Sequence, residues 1–413
     1  MNRLRQIEQE VLALGREWTR VQLEKRLQEE CEASEMISAE GGQALENTRW
    51  RPMGLDTVVG GVNLKAHHGY CPKQGWVCPV RTAWGLEPYE RKTPELQARL
   101  AYTATVVGSY EEAEEMAKTW GTPVSDSCIH QQVQKLGIKA QSVELPTPAV
   151  VKPEREFSLV IMPDGWMARE RGQDWGASAR KKNAERVDWR EIKSAVIYQL
   201  EQRAQSASGR GMLLEKYVVA TPPETSPLDF GKAVQDEAMR RGLARAKVVY
   251  LVMDGAVWLW DLAEDRFKNA VKTLDFHHAR EHLNAVAEAL YGAGSAQAKE
   301  WLKERLKHLR HGKESLVVHR LEELLESKAK RSKKTKKVIA REVNYFQEHR
   351  DHIHYRDREK EGSPLGSGAV ESLGKQLQRR HRGCGQFWTR PGITHMLGIS
   401  VMVKNGDLHL LWN

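Results

Sequence analysis

Two stretches of this chain end in the same way: "SLVIMPDGW" closes on Asp164 and Gly165, and "VVYLVMDGAVW" closes on Asp254 and Gly255. A short, unbroken apolar run has no polar face to give to water, so it belongs to a strand covered on both sides. Such strands need helices above and below them, which points to an α/β sheet. The residue that follows the run is carried to the sheet edge, where ligands gather in open α/β folds.

The surrounding segments extend that reading. "EFSLVIMPDGW", "WREIKSAVIYQLEQ" and "EKYVVATPP" read as strands, and "SPLDFGKAVQDEAMRRGLA" as a helix capped near Ser226 or Asp229. "AKVVYLVMDGAVW" is a buried strand, and "NAVKTLDFHHAREHL" runs from a short strand into a helix. Strand, strand, strand, helix, strand, helix, strand is the RNase H-like order, a mixed sheet with helices on its faces. If the first and fourth strands are neighbours, Asp164 and Asp254 sit side by side. Adjacent carboxylates repel unless a cation bridges them, and hard divalent cations take oxygen ligands of this kind. Two such ions roughly 4 Å apart activate a water or 3′-hydroxyl and stabilise the leaving oxygen of a phosphodiester.

A third acid comes from "SPLGSGAVESLGKQLQRRHRGCGQFW". Its Gly-Ser-Gly turn delivers Glu371 onto a helix whose next turns carry Lys375, Arg379, Arg380 and Arg382, expected along the path of a phosphate backbone. Trp388 reads as a core tryptophan capping that helix, with stacking on a flipped base as the alternative.

Together "MPDGW", "YLVMDGAVWLW", "LDFHHAREHL" and the Glu371 segment resemble the DDE-type transposases of bacterial insertion sequences, in the Mutator-like group and nearest the ISKra type. The resemblance covers most of residues 95–405. It implies an RNase H-like core binding Mg²⁺ or Mn²⁺, two ions, through Asp164, Asp254 and Glu371. It also implies a helical insertion in the long gap between the second and third acids, and it assigns "DFHH" as the further pair Asp275 and His278. A histidine there could orient the scissile phosphate or shuttle a proton; His277 and His282 read as surface or packing residues. The activity implied is cleavage and strand transfer at an element's own ends, by a homo-oligomer acting on double-stranded DNA in the bacterial cytoplasm. The alternatives are a retired DNA-binding descendant and an RNase H-like structure-specific nuclease.

The rest of the chain is read against that expectation. Lys and Arg outnumber Asp and Glu by 64 to 55, a net +9, which suits a polyanionic partner. No apolar run is long enough for a membrane span. Five scattered cysteines favour a reducing compartment over a disulfide framework.

Residues 91–140 read as three short helices forming a helix-turn-helix, the third capped by Ser125 and presenting His130, Gln131, Gln134 and Lys135 to a major groove. Residues 1–90 hold a heptad stripe, Leu4, Ile7, Val11, Leu14, Trp18 and Val21, read as a helix lying on its own protein or as a dimer seam. After it, 33–66 reads as irregular. "HHGYCPKQGWVCP" has poor spacing for structural zinc, so none is expected at Cys71 and Cys78. The relatives carry Cys-x-x-Cys-Gly where this chain has Gln74. A linker at 138–155 leads into the core, 156–284 and 362–405, interrupted by helices at 285–361. Within that insertion, "KAKRSKKTKK" reads as a solvated loop or a phosphate clamp.

Overall fold

The computed structural model describes residues 2–35, 37, 44–146, 155–208, 211–327 and 329–412. The chain divides into two compact units, Met1–Val143 with Gly406–Asn413, and Glu144–Asn405.

In the first unit, α1 (Arg3–Ala33) starts at Asn2, whose Oδ1 accepts the Leu4 amide at 2.9 Å. Its packing lies in its second half, from Arg16, which donates to Thr119 O at 3.3 Å, onward. Gln28 exchanges hydrogen bonds with the Lys65 backbone, and Cys31 enters a core with Met53, Leu55, Val62, Leu64, Ala66 and Cys78. That core belongs to a three-stranded antiparallel sheet, β1 (Glu46–Thr57), β2 (Gly60–Cys71) and β3 (Gly75–Val77), flanked by the short α2 (Pro79–Ala83). The sheet corrects the irregular reading of 33–66 wherever those residues are described. One of its glycines marks a close approach rather than loop: a Cβ on Gly69 would lie 3.0 Å from Leu45 Cδ1.

Three helices follow, α3 (Pro94–Val106), α4 (Tyr110–Thr119) and α5 (Asp126–Ser142). Ser109 Oγ caps α4 through the Glu112 amide, and Ser125 Oγ caps α5 through the Cys128 amide. Leu96, Leu100, Ile129, Val133 and Leu136 are buried on their inner faces. Because α5 runs to Ser142, the linker expected from 138 begins as helix; residues 147–154 of it lie outside the described residues.

The second unit is mixed α/β. Its strands are β4 (Leu159–Arg171), β5 (Val187–Gln199), a small β6–β7 pair (Arg203–Gln205, Gly211–Leu213), β8 (Tyr217–Ala220), β9 (Val249–Met253) and β10 (Val271–Leu274). Five of them form one mixed sheet in the order β10-β9-β4-β5-β8, in which β4, β9 and β10 run parallel and β5 is antiparallel to both its neighbours. This order is compatible with an RNase H-like arrangement.

One sheet face packs Leu159, Ile161, Ile197, Leu251 and Met253 against α6 (Pro227–Arg240, capped by Ser226) and α7 (Val257–Arg266). Helices α8 (Phe276–Tyr291), α9 (Ala296–Arg310), α10 (Glu314–Glu326), α11 (Lys333–Glu348) and the short α12 (Tyr355–Lys360) build a separate core around Leu283, Leu309, Val317, Val343 and Phe346. Part of the basic run is therefore helix: Lys333, Lys334, Lys336 and Lys337 open α11, capped by Ser332. Lys328 lies outside the described residues. Finally, α13 (Gly368–His381) packs on β4 and β5, and α14 (Arg390–Asn405) on β8.

Candidate functional site

Strand register brings the acids level. Leu159, Val160 and Ile161 pair with Val249, Tyr250 and Leu251. Asp164 and Asp254 each stand three residues beyond the last of these pairs. On the other side of β9, Leu274 pairs with Met253, so Asp275 is level with Asp254. Three aspartates thus stand at one height, Asp164 within β4 and Asp254 and Asp275 just past the ends of β9 and β10, on parallel strands whose neighbours in a sheet lie about 4.8 Å apart. Asp164 is not at a strand end, as the sequence suggested. β4 continues to Arg171, and Asp164 faces Ser194 of β5, a buried serine whose hydroxyl has no partner among the described residues.

The two glycines of the Asp-Gly pairs provide room. A Cβ on Gly165 would lie 2.9 Å from Glu191 Cδ, and one on Gly255 would lie 2.7 Å from the hydroxyl of Tyr345. Asp164 Oδ1 accepts the Gly165 amide at 2.7 Å, and Asp254 Oδ1 accepts the Ala256 amide at 2.8 Å. Burial, with the charges of Asp254 and Glu371 behind it, pushes the Asp164 carboxyl up to about 6.

The third acid arrives on α13. Trp166, two residues beyond Asp164 on the same strand face, packs at Gly374 and edge-on to His381. Glu371 is one turn ahead of Gly374 on that helix face and is thereby turned toward Asp164. Its Oε1 accepts from Ser367 Oγ at 3.3 Å, and Lys375 Nζ lies 3.9 Å from Oε2.

Asp275 holds this arrangement together. It is fully buried, caps α8 through the His277 and His278 amides at 2.5 and 3.1 Å, and accepts the Ser367 amide at 2.5 Å. The Phe276 amide donates to Leu365 O at 2.9 Å. The Gly-Ser-Gly turn is therefore pinned to the end of β10. Burial opposes ionisation of Asp275, but His278 and the Ser367 bonds override it and hold the carboxyl well below the usual range. His278 Nδ1 stands 3.6 Å from Asp275 Oδ1, and that carboxylate, with help from Asp254, raises the imidazole to about 9. At neutral pH His278 is a cation among the acids, suited to holding an anion or donating a proton rather than accepting one.

The helical insertion supplies a side chain that the sequence reading missed. Tyr345 of α11 lies over Gly255, its hydroxyl buried and without a partner among the described residues. His282 stacks on it at 3.6 Å between ring centroids and bonds Glu342 at 2.5 Å. In the sequence Tyr345 stands between the core residues Val343 and Phe346 and looks like one of them.

Of the basic residues expected along DNA, Lys375, Arg379 and Arg382 are exposed. Arg380 is not: it is 3% exposed and stacked on Trp388, which caps α13 by donating from Nε1 to His381 O at 2.7 Å. On α5, His130 and Gln131 are exposed and Gln134 is half-buried, while Lys135 is committed to Glu90 at 2.7 Å.

Asp164, whose proton affinity the charges of Asp254 and Glu371 help to raise, offers with them the oxygen-donor chemistry of a hard-cation site. As placed, however, no three His, Cys, Asp or Glu side chains among the described residues form a ready ligand group. Glu371 is instead engaged by Ser367 and Lys375. Cys71 and Cys78 are both buried.

No family model matches the chain, and no curated protein matches it. Among solved structures it is similar to the Drosophila P element transposase strand transfer complex, at 12% identity and a TM-score of 0.35, over 76% of this chain and 92% of that one. A likeness at this level leaves the functional reading to the chain's own residues.

Proposed function

We propose that this protein is a transposase that cuts and rejoins DNA strands, with Asp164, Asp254 and Glu371 as its acids. The observation that supports this best is the common level of Asp164 and Asp254 on adjacent parallel strands, with the helix of Glu371 laid over them. The three acids would hold Mg²⁺ or Mn²⁺, which when bound activates the attacking oxygen and stabilises the leaving one. The protein's own part is positional. Asp275 fixes the turn that carries Glu371, and the His278 cation stands ready for a phosphate oxygen.

The partner in this reading is double-stranded DNA, met by Gln131 and His130 of α5 and by Lys375, Arg379 and Arg382 of α13. A second copy is the partner for α1. Leu4, Val11, Leu14 and Trp18 are 61–72% exposed, so the described residues do not cover the seam. In a parallel pair the glutamates Glu10 and Glu17 would face Gly15 and Gln22, whereas an antiparallel pair would set glutamates against each other.

The test is incubation of the full chain with labelled DNA from the flanks of its own coding region, with Mg²⁺ or Mn²⁺. Nicking or strand transfer supports the proposal. Tight binding with no nicking on any flank supports instead a retired DNA-binding protein, the reading favoured by the absence of a ready ligand group among the described residues.

A further inference from the structure

The small N-terminal sheet presents an unusual combination of exposed aromatic rings and unpaired cations. Trp76 of β3 is 46% exposed, and its partner in register, Tyr70 of β2, meets it edge-on at 6.1 Å. The guanidiniums of Arg49 and Arg51 lie 4.3 and 4.9 Å from the Trp76 ring centre. Among the described residues neither forms an ion pair or hydrogen bond. Stacked in this way, their N–H edges stay free for an anion.

Beside them opens a cleft of about 940 Å³, lined by Arg51, His68, Trp76, Arg81, Tyr89 and Arg91. Arg81 is fixed by the carbonyls of Glu87 and Glu90, and Arg91 lies 3.5 Å from Asp56; Glu87 is the acid on the wall. Burial, together with the charges of Arg51 and Arg81, lowers the proton affinity of His68, as a positive cleft should. Tyr89 stands on the rim, 97% exposed, with φ at +64°, a left-handed backbone that tyrosine seldom adopts. Strain of that kind persists where the surrounding structure imposes it and is concentrated at functional sites.

We propose that this cleft binds an unpaired DNA strand, with a base stacked on Trp76 or Tyr89 and the flanking phosphates on Arg49 and Arg51. An exposed ring such as Tyr89, or the part of Trp76 that the arginines leave uncovered, is of no use to a duplex, whose bases are already stacked on each other. Such rings suit single strands, where each base offers its own face. An acidic peptide would pair the arginines and leave the rings idle. Only the choice of DNA over RNA rests on the function proposed above.

The experiment uses the full chain in EDTA, fluorescence anisotropy, and a labelled mixed-sequence 12-nucleotide DNA strand, its duplex, and the RNA of the same sequence. Trp76→Ala, and Arg49→Gln combined with Arg51→Gln, should each weaken single-strand binding roughly tenfold. The double substitution should also lower the salt slope by about 1.4, two phosphate contacts at about 0.7 each. Duplex binding should change less than twofold, and Trp76→Phe, which keeps a ring, should retain most of the affinity. A 5-iodouracil-substituted strand should crosslink to the peptides carrying Trp76 or Tyr89. Equal losses on strand and duplex, no loss on either, or crosslinks only elsewhere would overturn the proposal; tighter binding of the RNA would overturn its choice of DNA. A parent chain that binds the strand in this way but never cuts its flanking DNA refutes the transposase reading and leaves this one standing.

Discussion

Tyr345 rests directly on Gly255: a Cβ there would stand 2.7 Å from the tyrosine hydroxyl and 2.8 Å from Cζ. The residue beside Asp254 is a glycine because an aromatic ring from the helical insertion occupies the space. Gly255→Ala should displace the ring and lower stability by about 1–3 kcal/mol, the usual range for overpacking. Tyr345→Phe should melt near the parent temperature but cut DNA roughly tenfold more slowly or worse, if the buried hydroxyl meets the phosphate. An unchanged rate would return Tyr345 to packing.

Asp164→Asn, Asp254→Asn and Glu371→Gln should each abolish strand cleavage while preserving DNA binding, since each keeps size and removes a charge beside a phosphate. Double substitutions should cost little more than single ones, because the acids act as a unit. Glu361 is the control. It is exposed and paired with Arg358 at 3.3 Å, so Glu361→Gln should cut normally. Were that variant dead and Glu371→Gln active, the third acid would be misassigned.

Asp275→Ala removes three accepted hydrogen bonds, including one from Ser367, and the ion pair with His278. The loss should be about 2–4 kcal/mol, as for a buried charge with several partners. Amide exchange separates this from a general weakening: Ser367 and the first turn of α8 should lose protection ahead of the β4–β5 amides.

Stability should depend on pH through His278. Its folded affinity for a proton is raised to about 9, so the pair with Asp275 contributes fully below the ordinary histidine value of about 6.5 and is lost as pH rises through about 9. With the side chain a third exposed, the effect should be on the order of 1 kcal/mol. Melting in EDTA from pH 6 to 10 should show this decline in the parent and not in His278→Gln. A decline of equal size in both would assign it to another group.

Gln131→Ala should weaken duplex binding more than Lys135→Ala. Only a lost lysine–phosphate contact lowers the salt slope, by roughly 0.9, and Lys135 is already held by Glu90, so neither variant should change the slope much. The opposite ranking would mean that the Glu90 pair opens on DNA.

The sheet strands and their aspartates were legible because a buried apolar run has few other uses, and the run over β9 reads the same in sequence and structure. Charge was less legible. Arg380 looked like its exposed neighbours, and nothing local distinguishes an arginine facing solvent from one stacked on Trp388; Lys135 is exposed, but its partner Glu90 lies 45 residues away in sequence. The N-terminal sheet was missed because glycine serves turns and close approaches alike, and at Gly69 it serves the second. Tyr345 was beyond reach, since its neighbour Gly255 belongs to a segment joined to it only by the fold.

The bond between Asp275 and Ser367 also sets an order on the ribosome. Asp164 and Asp254 emerge early and find their places as the strands pair, but Glu371 waits for the turn that Asp275 fastens and for the helices that follow it. A nascent chain therefore carries an incomplete set of acids through most of its synthesis. Translation broken off before Ser367 would release a fragment that holds Asp164 and Asp254 but lacks Glu371 and the turn that carries it, and the cutting proposed for these three acids should be absent from it.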